Sequence, residues 1–205
     1  MKQEDRRQQT IRRLMDTTKE LISEKGCHSI TMQDIMSRSG MSKGSIFHYV
    51  KSKNEIFIWV LQERLEETNG SFMKEVEQGR RNFEDPMQEI EKSILAYENP
   101  HDITNKVLLY LLGKEEDPLV AEALTDYYDR SAYLSKMWIE AGQKHGVIAE
   151  TVDAEKTGDM FTLMTFGLRI RSGIPQAKAV FQAEDLTAFI RERLASSARR
   201  KGEES

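Results

Sequence analysis

A short segment near the N-terminus carries hydroxyl, ammonium and imidazole groups close together. Four of its side chains are of types that form hydrogen bonds with phosphate oxygens or base edges in protein–DNA complexes: Ser42, Lys43, Ser45 and His48. Residues 40–44 also spell GxSxG, which is the pattern of a serine nucleophile. A nucleophile elbow requires a strand before the serine, whereas here a helical pattern precedes it. Contact with a polyanion is therefore the chemistry that this segment favours.

Other residues suited to catalysis or metal binding lack the partners that they would need. Glu98 and His101 form the single Glu-x-x-His spacing, and Pro100 between them breaks the helix that would aim both side chains alike. Cys27 is the only cysteine, so it has no resolving partner and is read as a small packing residue. Familiar metalloprotease, dinucleotide and P-loop motifs are missing. The sequence thus predicts no enzyme, no metal site and no cofactor.

The charge of the chain is distributed unevenly. The net charge is −4, yet residues 1–60 hold eleven Lys and Arg against seven Asp and Glu, which leaves −8 for the remainder. A basic head on an acidic body fits a polyanion partner, although a merely solvated face fits the charge equally well. The N-terminus is polar and the most apolar run, residues 107–112, is short. We expect a cytoplasmic chain without a membrane crossing.

Capping residues predict the helices that position the N-terminal segment. A first helix is expected from about 5 to 25, ended by Gly26. Thr31 then caps a short helix that ends at Gly40. Ser42 caps a third helix, from 43 to about 50. Two short helices joined by a glycine-containing turn are typical of a helix-turn-helix.

The rest of the chain also shows helical periodicity. A capping box of Ser52 and Glu55 opens a long fourth helix to about residue 78. No segment alternates with period two, and no repeat is seen. The predicted fold class is all-α with about nine helices, the last five at about 86–98, 102–112, 118–144, 153–172 and 185–199.

Residues 30–57, ITMQDIMSRSGMSKGSIFHYVKSKNEIF, resemble the DNA-binding signature of the tetracycline-repressor (TetR) family. The shared features are the Thr cap, the Gly turn, the aromatic cluster and the Ser-Lys pair before a long helix. Phe47 stands where the family usually has Tyr, and Val50 where it has Phe. The resemblance implies a dimeric regulator, by habit a repressor, that binds double-stranded operator DNA through helix three. It also implies a C-terminal part that dimerises and holds a small-molecule effector of unknown identity.

The family pattern and the helix positions together predict the DNA contacts. Helix three enters the major groove, where Gly44 lets the backbone approach and Phe47 offers an apolar contact to a thymine methyl. His48 is read either as a base contact or as an ordinary surface histidine. Thr31 and Lys53, at the starts of the flanking helices, are expected to bind phosphates. The predicted set is Thr31, Ser42, Lys43, Gly44, Ser45, Phe47, His48, Tyr49 and Lys53.

Candidate residues in the C-terminal part follow from aromatic and apolar patterns. An effector pocket is expected among Tyr97, Tyr110, Tyr127, Tyr128, Trp138, Phe161 and Met164. One apolar seam predicts a dimer interface formed by Leu186, Phe189, Ile190 and Leu194. Arg169 and Arg171 suit either an anionic effector or a surface or dimer-edge role, and they stay unassigned.

The expected domain organisation is a DNA-binding domain at 1–52, an effector-binding and dimerisation domain at 53–199, and a disordered tail at 200–205. Release of the operator by the effector is the expected mode of regulation. The alternative function is a helical-bundle ligand carrier or an enzyme that does not bind DNA.

Overall fold

The computed structural model describes residues 2–77 and 83–199, and this part of the chain folds into helices without a β strand. The predicted all-α class and the number of helices are confirmed. None of the described helices is long and apolar enough to cross a membrane. The helices are α1 (Lys2–Ser29), α2 (Met32–Ser39), α3 (Lys43–Phe47), α4 (Lys53–Glu77), α5 (Glu84–Tyr97), α6 (Ile103–Leu112), α7 (Pro118–Lys144), α8 (Ala154–Ser172) and α9 (Ala183–Arg199).

The helices begin and end where short polar residues and glycines supply the caps. Thr31 and Asp34 form a reciprocal capping box at the start of α2, and Gly40 ends that helix with a φ of +66°. Asp102 and Asp153 each accept the backbone N–H three residues further on, at 3.0 Å. These local bonds explain why the sequence predicted most helix boundaries closely.

Two helices differ from the prediction. α3 ends at Phe47 and not near Val50, because the N–H groups of Tyr49 and Val50 both donate to the carbonyl of Ile46 and tighten the chain into a turn. α1 is longer than predicted and is interrupted at Gly26, whose φ of +75° and ψ of +159° are not helical. Gly26 therefore breaks the helix as predicted, and a further turn follows it.

The chain separates into two compact units. Of the described residues, the first unit contains 2–64 and 101–125, and the second contains 65–77, 83–100 and 126–199. This division lies inside α4 and α7, not at the predicted boundary after residue 52. The predicted tail at 200–205 lies outside the described residues.

In the first unit, α1 packs against both α2 and α6. Phe57 of α4 meets the ring of Tyr110 of α6 edge-on at 5.2 Å, and His28 meets the same ring at 4.9 Å. Tyr110 is therefore part of the packing of the first unit. It lies in the unit that carries the helix-turn-helix, whereas the other residues predicted for the effector pocket belong to the second unit.

In the second unit, α5 packs against α8 and α9 around a buried apolar cluster. Leu186, Ile190 and Leu194 of α9 belong to this cluster and are almost fully buried within the single chain. These three residues cannot form the predicted dimer seam, because their side chains are already covered by their own protomer. Phe189 is the member of the predicted seam that is exposed.

Close contact between α7 and α8 gives a first testable prediction. A Cβ built on Gly158 of α8 would lie 2.7 Å from the backbone nitrogen of Lys136, so the helices would have to separate. We expect Gly158→Ala to lower the free energy of unfolding by about 1–3 kcal/mol in urea titrations. Gly70→Ala is the matched control, since a Cβ at Gly70 meets nothing within 4 Å and alanine favours helix. A Gly158→Ala variant as stable as the wild type would show that the helices separate without cost.

Candidate nucleic-acid interface and ligand cavity

The turn between α2 and α3 presents one polar face to solvent. The Ser42 hydroxyl oxygen accepts the backbone N–H of Ser45 at 3.2 Å and fixes the start of α3. Ile46 and Val50 are buried and hold the opposite side of this segment in the first unit. The predicted contact residues Ser42, Lys43, Gly44, Ser45, Phe47 and His48 are all exposed, and Tyr49 is half-buried.

Ion pairs fix α2 against α1. Arg38 forms a bidentate pair with Glu24 at 2.8 and 2.7 Å, and Lys25 contacts Asp34 at 2.7 Å. The hydrogen bond from Lys25, together with those from Thr31, holds the pKa of the Asp34 carboxyl below its usual range. The carboxylate therefore stays ionised at neutral pH, and the capping box keeps its acceptor.

Thr31 uses its polar groups within the capping box. Its hydroxyl donates to Asp34 Oδ2 at 2.7 Å and accepts the Asp34 N–H at 3.1 Å, while its own backbone N–H donates to Oδ2 at 2.9 Å. A phosphate oxygen only accepts hydrogen bonds, so this hydroxyl would have to leave Asp34 in order to bind one. In the geometry seen here, Thr31 holds the start of α2.

Lys53 is also occupied inside the first unit. Its ammonium donates to the carbonyls of Ile30 at 2.7 Å and Cys27 at 2.9 Å, just after the break in α1. The same ammonium lies 5.1 Å from the ring centre of Tyr110 and 5.9 Å from that of Phe57. Burial lowers the pKa of Lys53. Lys53 thus ties the start of α4 to the end of α1.

Two exposed cations remain beside the turn. The Lys43 ammonium lies 5.8 Å from the ring centre of Phe47 on the same helix. Arg13 of α1 reaches the turn as well, since a Cβ on Gly40 would lie 3.6 Å from its guanidinium. Within residues 2–77 and 83–199, neither Lys43 nor Arg13 takes part in an ion pair. Sequence reasoning missed Arg13 because the family pattern begins after it, although the Arg12-Arg13 pair was a visible signal.

A cavity of about 120 Å³ lies within the second unit. Its lining side chains come from α4, α5, α7, α8 and α9 and are mainly apolar, with several hydroxyls. Trp138 stacks on Phe72 at 4.8 Å and donates its indole N–H to Asn69 at 3.1 Å. Four residues of the predicted pocket line this cavity: Tyr97, Tyr127, Trp138 and Phe161.

Two other residues of the predicted pocket are in the second unit but outside the lining. Tyr128 donates its hydroxyl to Asp159 at 2.8 Å, which holds its ring over the adjoining surface of α8. Met164 packs, partly buried, against the apolar cluster of the unit. Periodicity placed both on helices of the cavity but could not say which way each side chain turns.

Arg169 lines the cavity and is only 2% exposed. Its guanidinium donates to the Tyr127 hydroxyl at 2.6 Å. The ring centres of Tyr97, Tyr127 and Phe166 lie 5.1, 5.6 and 6.0 Å from it. Arg171, two residues further along α8, instead pairs with Glu98 and donates to the carbonyl of Phe181. The sequence left Arg169 and Arg171 with the same possible roles, whereas in the structure Arg169 lines the cavity and Arg171 does not.

α8 also carries an exposed apolar stripe. Leu163, Gly167 and Ile170 follow one another at helical spacing, Ile174 lies just beyond the end of the helix, and all four are exposed. The exposed fraction is 63% for Leu163, while Phe189 of α9 is 38% exposed. Large exposed apolar side chains in a row are typical of a surface that another protein covers.

Comparisons with known proteins agree with this architecture. Residues 14–60 match the family described as "Bacterial regulatory proteins, tetR family". The HTH-type transcriptional repressor KstR2 of Rhodococcus jostii is 24% identical over 148 residues, which is 69% of each chain. A Saccharomonospora viridis protein solved with choline aligns with a TM-score of 0.64 at 21% identity, covering 90% of this chain and 95% of its own. Thermus thermophilus FadR, solved with lauroyl-CoA, gives 0.64 at 18% identity, covering 90% and 93%.

Proposed function

We propose that this chain, whose residues 14–60 match the TetR family of bacterial regulators, is a DNA-binding transcriptional regulator that represses transcription from an operator and releases the DNA when a small molecule fills the second-unit cavity. The observation that carries the proposal is the pairing of an exposed, capped reading helix with a largely apolar cavity in the same chain. The described part of the lining holds no recognisable catalytic set, so we propose binding without chemistry. We place its action in the cytoplasm, where the operator is.

For operator binding, we propose that α3 lies in the major groove. Ser42, Lys43, Ser45 and His48 would then contact phosphates and base edges, and Phe47 a thymine methyl. Gly44 permits close approach of the backbone, while Tyr49 supports the helix from its half-buried position. Arg13 is added as a phosphate contact because it lies beside the turn.

We further propose that Thr31 and Lys53 act on DNA binding by position and not by contact. Thr31 fixes the start of α2, and Lys53 joins α4 to the end of α1. Both therefore hold the helix-turn-helix in the shape that the groove requires.

A homodimer is proposed through the stripe on α8 and Phe189 on α9. A single helix-turn-helix contacts few base pairs, whereas two helix-turn-helix motifs related by a twofold axis recognise a near-palindrome. Leu163, Ile170 and Phe189 would meet their copies across that axis. Burial of these exposed apolar side chains supplies the driving force for association.

We propose that α4 links the effector to DNA binding. This helix has 25 residues and spans about 37 Å at 1.5 Å per residue. Lys53 stands at its start, and Leu65, Thr68, Phe72 and Val76 line the cavity further along it. A ligand that favours a non-binding arrangement by about 1.4 kcal/mol would lower operator affinity tenfold. The ligands of the S. viridis and T. thermophilus proteins support ligand binding by this fold.

Selection of duplexes from a random DNA library tests the proposed function. We expect enrichment of a near-palindrome whose half-sites lie about one helical turn, or a multiple of about 34–36 Å, apart. Failure to enrich any duplex, in a chain that still binds cavity ligands, would favour the ligand-carrier alternative.

Lys43→Ala measures the phosphate contact on the selected duplex. We expect weaker binding and a salt dependence whose slope, log affinity against log salt concentration, falls in magnitude by about one unit. Lys178→Ala is the control, because Lys178 is an exposed lysine in the segment between α8 and α9. An unchanged slope in fluorescence anisotropy titrations of Lys43→Ala would remove Lys43 from the interface.

A further inference from the structure

Among the described residues, one arginine supplies the charge of the cavity lining. The side chains of this described lining are apolar or carry hydroxyls, apart from one histidine and Arg169, and they include no Asp, Glu or Lys. The guanidinium group of an arginine side chain carries a positive charge in proteins. The cavity therefore presents a fixed positive charge to any molecule that enters it.

The surroundings of Arg169 show how this charge is accommodated. The Tyr127 hydroxyl accepts a hydrogen bond from the guanidinium, and three aromatic rings lie around it within about 6 Å. Aromatic faces of this kind bind cationic ligands. Here the protein's own guanidinium already lies over these three rings, so a cationic ligand would be repelled by Arg169 and could not use them.

We propose that the effector is an anion with an apolar body, and that its carboxylate binds at Arg169. A carboxylate gains Coulomb attraction at a buried guanidinium, where the effective dielectric constant is below that of water. The apolar body fills the remainder of the lining, around Phe72, Trp138 and Phe161. This inference rests on the proposed function, because it names the chemical class of ligand for the same cavity.

The lining narrows the class of ligand further. Aliphatic and aromatic side chains from several helices surround a cavity of about 120 Å³. A flexible alkyl chain that carries the carboxylate can adapt to such a lining. Octanoate is a suitable probe, with octanamide as its neutral and octylammonium as its cationic counterpart of equal length.

Calorimetric titration of the wild-type protein with these three compounds tests the proposal. We expect octanoate to bind at least about tenfold more tightly than octanamide, and octylammonium to bind most weakly. Equal affinities for octanoate and octanamide would overturn the proposal. The absence of octanoate binding at millimolar concentration would do the same.

Variants on α8 test whether the preference for octanoate over octanamide comes from Arg169. Arg169→Gln should bind octanoate and octanamide within about twofold of each other, and Arg169→Lys should keep a preference for octanoate. Arg171→Gln is the matched control, because it removes the same charge from the same helix outside the lining, and its preference should equal that of the wild type. A full preference retained in Arg169→Gln would refute the role of Arg169. Should that variant fail to fold, a crystal structure of the wild type with octanoate decides, with the carboxylate expected about 2.7–2.9 Å from the guanidinium.

Operator titrations separate this inference from the proposed function. If octanoate binds with a preference that depends on Arg169 but leaves operator affinity unchanged, the ligand class stands and the proposed release of DNA fails. If all three compounds bind equally and all release DNA, the proposed function stands and the ligand class fails.

Discussion

Replacing Leu163 and Ile170 together by glutamate is expected to convert the proposed dimer into a monomer and to weaken operator binding by at least about a hundredfold. Both side chains are exposed on one face of α8, and a twofold axis through this face would bring the new carboxylates close to their copies. Like charges that lose solvent at an interface oppose association strongly. A monomer has one helix-turn-helix, so it loses the increase in affinity that comes from binding two half-sites at once.

Sedimentation at micromolar concentration and anisotropy with the selected duplex measure the two effects. The control is the double variant Leu112→Glu with Leu119→Glu, which places the same charges at exposed apolar positions of the first unit. This control should remain dimeric. A Leu163→Glu, Ile170→Glu variant that sediments as a dimer would show that the stripe on α8 is not the interface.

Lys53→Met is expected to lower the free energy of unfolding by about 2–4 kcal/mol, since a charged donor to the backbone carbonyls of three residues, Cys27, His28 and Ile30, is lost. Methionine keeps the apolar stem against Phe57 and Tyr110 but leaves these three carbonyls without this donor. At a temperature where the variant is folded, operator affinity should fall while the salt slope keeps its wild-type value. Denaturant titration and salt-dependent anisotropy provide the two readings.

Lys51→Met, at a neighbouring exposed lysine, controls for the loss of a positive charge near the start of α4. It should leave the stability of the protein unchanged. Unaltered stability of Lys53→Met together with a slope reduced by one unit would mean that Lys53 contacts a phosphate directly, as the sequence pattern first indicated.

Local chemistry made the helices predictable from the sequence. The box of Thr31 and Asp34, the left-handed Gly40 and the caps Asp102 and Asp153 act over three or four residues, so their effects can be read along the chain. The start of α3 followed in the same way from the cap Ser42, whose hydroxyl accepts the N–H of Ser45. The sequence predicted that α3 continues to about Val50, whereas the helix ends at Phe47. The turn after it, in which Tyr49 and Val50 both donate to the Ile46 carbonyl, has a sequence that looks like one more turn of helix.

The contacts within the second unit were less predictable from the sequence. Helical periodicity indicates which side chains are buried, but it does not indicate which element or which protomer buries them. The stripe of Leu186, Ile190 and Leu194 indicated a covered face, and the covering surface proved to be the same protomer. Tyr110 was assigned to the pocket because its helix belongs, in sequence, to the C-terminal part. Arg169 was left open since arginine is normally exposed, and only packing in three dimensions distinguishes it from Arg171.

The division of the chain also governs how this regulator can be re-engineered. The backbone passes from one unit to the other near residues 64, 100 and 125, and the first and last of these points lie inside α4 and α7. A single junction after the helix-turn-helix would therefore transplant α6 and part of α7 with the wrong unit. A chimaeric sensor needs three junctions, and those within helices must preserve residue number, because one inserted residue turns the rest of the helix by about 100°.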